Sequence, residues 1–128
     1  MEKTVVIDGK EVKMRASALV PRLYRFRFAR DMISDMRQLQ KSFKKATSLP
    51  PDATEEEKQD AQLSVMDLTI FENVAYIMAK HADTKNVPST MEEWLDGFDG
   101  VFSIYEVLPV ILELWGLSNQ TTSISKKK

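Results

Sequence analysis

The run from Phe71 to Leu117 constrains the fold of this chain more than any other stretch. Its apolar residues recur every three or four positions, both tryptophans lie in it, and cap signals punctuate it. Thr90 followed by Glu93 and Ser103 followed by Glu106 both read as capping boxes, in which a hydroxyl and a carboxylate satisfy each other's backbone donors. Gly116 stands where a helix C-terminus favours a residue at positive φ. The spacing predicts a helix before, a helix after, and between them a loop with a short helical turn carrying Trp94 and Phe98. Trp94 and Trp115 are expected in the helical core or in a partner groove.

Upstream, the pattern changes period. Val5, Ile7, Val12 and Met14 alternate with polar neighbours around Asp8-Gly9, a two-residue turn signal, so residues 4–16 read as a β-hairpin. With Ile7 opposite Lys10, Val5 faces Val12 and the four apolar side chains share one face. That face either covers the helical core or offers an edge for self-assembly. After Pro21, the residues Tyr24, Phe28, Met32, Met36, Leu39 and Phe43 step by three or four, which predicts one long helix with a basic remainder. Pro50-Pro51 marks a connector. Thr54 with Glu57 opens a helical stretch, and Ser64 with Asp67 reads as a fresh N-terminus, leaving one helix or two between 55 and 82. Met66, Ile70, Val74, Ile77 and His81 align there, widened by Phe71, Ala75 and Met78. His81 is expected to cap or to bond a carbonyl at the helix end. The last helix is expected from Ile104 to about Trp115, kinked or locally opened by Pro109. Residues 118–128 read as a flexible polar tail. The expected fold is therefore mainly α: one helical domain over residues 1–117 with an N-terminal hairpin.

The same residues exclude several kinds of chemistry. There is no cysteine and one histidine, so neither a disulfide framework nor a thiolate or His-rich metal site is expected. Glu92, Glu93, Asp96 and Asp99 lack the alternating oxygen ligands and terminal glutamate of a calcium loop. No nucleophile or base-orienting group accompanies them, so the chain is not expected to be an enzyme or to hold a cofactor. No apolar run approaches the roughly 20 residues of a membrane span, and no signal peptide opens the chain. What stands out is charge. Residues 1–47 carry 12 Lys/Arg against 5 Asp/Glu, or +7, while residues 48–125 carry 3 against 14, or −11. Such a division fits a nucleic-acid arm or attraction between neighbouring copies; the pI near 5.9 favours the copies. In YRFRFAR, arginines alternate with aromatics, which would suit stacking on single-stranded nucleic acid, although helical spacing makes Tyr24 and Phe28 core residues.

FENVAYIMAKHAD, MEEWLDGF, FSIYEVLPVILELWGL and the closing SISKKK, with RASALVPRLYRFRFARDM near the start, together resemble the tail assembly chaperones of long-tailed bacteriophages and prophages of Gram-positive bacteria. None of these strings is a catalytic motif. The resemblance implies a protein of the host cytoplasm, absent from the finished virion, that binds the tape-measure protein and helps recruit tail-tube subunits. It also implies the short form of a pair whose longer member arises by a −1 ribosomal frameshift; Lys126-Lys127-Lys128 is compatible with an A-rich slippery run. The expected partner surface combines Arg22, Arg25 and Arg30 of the basic helix with Phe98, Phe102 and Tyr105. A small nucleic-acid-binding regulator using the basic helix and a structural tail component are the rival readings.

Overall fold

The computed structural model describes residues 1–100 and 102–117, so the expected tail at 118–128 lies outside the described residues. A hairpin of β1 (Glu2–Ile7) and β2 (Lys10–Arg15) precedes six helices. These are α1 (Leu19–Phe28), α2 (Met32–Thr47), α3 (Glu55–Asp60), α4 (Val65–Ala82), α5 (Met91–Asp96) and α6 (Ile104–Leu114). α4 is the axis of the fold: β2, α1, α2, α5 and α6 all pack against it, and β1 lies over α6. Ten of its eighteen residues are buried, which is why its apolar stripe wraps more than one side.

The hairpin forms as its sequence predicts. Asp8 and Gly9 both have positive φ (55° and 76°), the turn geometry that suits the twist of two antiparallel strands. Val5 pairs with Val12 and Ile7 with Lys10. Val5, Ile7, Val12 and Met14 are therefore turned into the core. The tip is pinned: the Asp8 carboxylate accepts from the Gly100 N–H (2.9 Å), and the Lys10 ammonium donates to the Gly97 carbonyl.

The expected long first helix is in fact two. Ala29 is left-handed (φ 56°) with its N–H on the Arg25 carbonyl, and Asp31 restarts the chain by accepting from the Ile33 N–H at 3.0 Å. The stripe survives the break because Tyr24, Met32, Met36 and Leu39 all still turn inward, with Phe28 and Phe43 half-buried. Periodicity alone cannot register such a break, since both helices present their apolar face to the same α4.

Between 55 and 82 there are two helices. Both capping boxes are complete: Thr54 with Glu57 (2.8 and 3.1 Å) and Ser64 with Asp67 (3.0 Å each way). α3 buries nothing, so its cap and the three glutamates of its first turn, placed at the positive end of the helix dipole, hold it. The other two boxes are not complete. The Thr90 hydroxyl accepts from the Glu93 N–H (3.2 Å) but donates to the Glu93 carboxylate. At Ser103 the side chain makes no cap, because the Glu106 N–H takes the Ser103 backbone carbonyl instead (3.3 Å). α6 runs through Pro109 without a break; the proline lies on the exposed side, where water can replace the bond it cannot donate. Gly116 (φ 69°) closes the helix, with the Leu117 N–H on the Leu112 carbonyl at 2.8 Å. His81 bonds the Ser17 hydroxyl (2.9 Å), tying the chain ahead of α1 to the end of α4, rather than a carbonyl.

Candidate functional site

Two polar and aromatic groupings decide which residues are free to meet a partner. The first sits at the α1–α2 break. Asp35, 5% exposed, accepts from Arg30 twice (Nε to Oδ2 at 2.7 Å, Nη2 to Oδ1 at 2.9 Å) and from the Tyr24 hydroxyl at 2.8 Å. Burial pushes the Asp35 carboxyl up, but the bonds from Arg30 and Tyr24 outweigh it and hold the group below its ordinary value. Burial, and then Asp35, push the Tyr24 phenol up. Arg30 is thus committed to this grouping and is not the free cation expected from the sequence.

The second is an aromatic cluster under α5. Trp94 lies edge-on to Tyr76 (5.6 Å), Phe98 (5.4 Å) and Phe102 (5.3 Å), and Phe102 stacks on Phe71 at 5.0 Å. Phe98 and Phe102, expected as exposed aromatics, are half-buried members of this cluster. Tyr105 is 57% exposed and leans on Phe43 at 5.9 Å. With Phe102, Leu68 and Glu72 it borders a cleft of about 300 Å³. Burial raises the Glu72 carboxyl. Phe98 borders a different groove, beside β2.

Arg22 and Arg25 are exposed on α1, as expected. They are not joined to the aromatic cluster; the α1 arginine that reaches it is Arg27, over the Tyr76 ring at 4.9 Å and on the Ser89 carbonyl at 3.0 Å. The residue missed from the sequence is Phe26, 90% exposed. It follows Tyr24 by two, about 200° around a helix, so the periodicity that buries Tyr24 turns Phe26 outward. Leu19, Arg22 and Phe26 make one outer ridge, and Arg25, Ala29 and Ile33 border a cleft of about 390 Å³ at the break. Farther along, Arg37, Lys41, Lys44 and Lys45 of α2 are exposed, as are Glu55, Glu56, Glu57 and Asp60 of α3. Among the described residues the ion pairs are Arg30–Asp35 and Lys3–Glu113, so these basic and acidic faces are unpaired within the chain.

Among the described residues no three His, Cys, Asp or Glu side chains are placed to hold a metal, and no helix is long and apolar enough to cross a membrane. Comparison of the chain with protein-family models, with curated proteins and with solved structures finds no match.

Proposed function

We propose that this chain is a tail assembly chaperone of the long-tailed phage type, a binding protein that holds apolar helical stretches of a tape-measure protein until the tail tube surrounds them. The observation that carries the reading beyond the resemblance is Phe26. A phenylalanine 90% exposed, on a ridge with the exposed Leu19, is an apolar anchor with no use inside the monomer. A partner helix can lay its own stripe against such a ridge, while Arg22 and Arg25 meet its acidic flank. In this reading a longer frameshifted form recruits tail-tube subunits, and the protein works in the host cytoplasm and leaves before the virion is complete.

Co-expression with the cognate tape-measure protein tests this. The partner is expected to become soluble and to co-purify, and Phe26→Glu is expected to abolish the complex without changing the melting temperature. A tape-measure protein equally soluble alone, with no complex, overturns the reading. The nucleic-acid alternative would rest on the same ridge, with Phe26 stacking a base, and would show salt-dependent binding of single-stranded DNA. It is disfavoured because Tyr24 and Phe28 pack inward while Arg27 and Arg30 have partners inside the fold.

Self-association belongs to the same proposal: the unpaired basic face of α2 meets the acidic α3 of another copy. Sedimentation is expected to show oligomers at 0.1 M salt that dissociate at 1 M, as the screening length falls from about 10 Å to about 3 Å. A monomer at low salt and high protein concentration would count against it.

A further inference from the structure

The hairpin has two strands, so each has an unpaired edge. The ladder's parity says which backbone groups are free. The Ala16 N–H bonds the Met1 carbonyl (2.8 Å) and Ile7 pairs with Lys10 across the two-residue turn. In an antiparallel pair bonded and non-bonded pairs alternate, so Lys3–Met14, Val5–Val12 and Ile7–Lys10 are the bonded ones. The N–H and C=O groups of Glu11, Lys13 and Arg15 therefore point away from β1, and none makes a backbone bond among the described residues.

That free edge borders a groove of about 320 Å³, with β2 residues Lys10 to Lys13 on one side and the 83–88 loop and α5 on the other. Its floor is apolar: Val12, Val87, Pro88, Trp94 and Phe98. The turn end is shut by the Lys10 side chain, which bonds the Gly97 carbonyl and lies 5.8 Å from the Phe98 ring. The same contact, with Asp8 on Gly100, holds β2 in place before anything binds, so ordering the edge costs little.

We propose that this groove takes an extended segment of a partner protein as a third strand along β2, with one apolar side chain over the floor between an acidic and a basic residue. Backbone complementarity requires the extended form. A helix satisfies its own amides and is roughly 10 Å across, so it would leave Glu11 and Lys13 unmatched. Residues directly opposite in a sheet share a face, so the one opposite Val12 points to the floor. Those opposite Lys13 and Glu11 point to solvent beside those charges, and opposite signs there stabilise the pair. Read antiparallel, the segment is acidic, apolar, basic. A second copy fits less well than a single segment: it carries the same loop and α5 beside its own β2, and two such floors would claim the same space. The site does not rest on the chaperone reading, because it uses neither α1 nor a helical partner.

A short synthetic peptide with Glu-Val-Lys at its centre, flanked by threonines, is the probe. In an amide-resolved titration, the Glu11 and Lys13 resonances are expected to move most and their hydrogen exchange to slow at least about tenfold. The same peptide N-methylated at its glutamate and lysine loses the amides that face β2, and its affinity is expected to fall at least about tenfold. Lys13→Pro removes an outward donor while sparing the bonds to β1, and is expected to weaken binding likewise; if that variant does not fold, the methylated peptide decides alone. Undisturbed β2 amides at millimolar peptide, or equal binding of the methylated peptide, overturn the proposal. So does a dimer in which the Glu11 and Lys13 amides are already protected without peptide, since a second copy then covers the edge.

Discussion

Replacing Trp94 by alanine is expected to cost about 3–5 kcal/mol, the range for removing a large buried aromatic side chain. Trp94 is 6% exposed and is the ring on which Tyr76, Phe98 and Phe102 converge, so its loss opens a cavity that three neighbours must line. Each edge-on contact adds about 0.5–1.5 kcal/mol beyond the area it buries. Trp115→Ala is the natural comparison. Its indole is half-buried with its N–H 3.3 Å from the Met78 sulfur, so about 2 kcal/mol is expected there. Urea unfolding of both variants beside the parent checks the order. A Trp94 variant as stable as the parent would mean that the cluster does not hold α5 to α4.

Asp35→Asn should be the next most damaging change. The amide keeps the shape but gives up the charge that draws two Arg30 donors and the Tyr24 hydroxyl together. A loss of about 2–4 kcal/mol is expected, moderated because Arg30 is partly exposed and can be rehydrated. The pH dependence has a definite sign. The folded state holds the Asp35 carboxyl below its ordinary value, so near and below pH ~4 the unfolded chain binds more protons. The stability contributed by Asp35 is fully present above the unfolded value and lost as pH falls through the lower folded one. Acid titration of unfolding free energy is expected to be steeper for the parent than for the variant. Parallel profiles would show that Asp35 does not titrate differently in the two states.

The arginine that completes this grouping illustrates how sequence and structure divide the problem. Nothing in the spacing of Arg22, Arg25 and Arg30 separates a free cation from a bonded one; the left-handed turn at Ala29 is what brings Arg30 back onto Asp35. Phe98 and Phe102 tell the same story for aromatics: both are expected on the partner surface, and packing around Trp94, with Phe102 stacked on Phe71, half-buries them. Phe26 is the opposite case, since its outward direction is contained in the period that buries Tyr24, yet periodicity arguments look for the stripe and pass over what faces away from it.

Local physics in the sequence determined the hairpin with its turn and register, the glycine that closes α6, and the mainly helical class; it marked capping boxes at Thr54 and Ser64 but left open whether 55–82 is one helix or two. These depend on neighbours within a few residues, whose geometry is fixed by backbone stereochemistry and by short side-chain bonds. The tertiary structure alone decided that the first helix breaks at Ala29, that Ser103 caps nothing, that His81 reaches Ser17, and that the β2 edge faces a groove. Each of those depends on groups far apart in the chain, or on a choice between two local bonds of similar strength, and packing around α4 settles such choices.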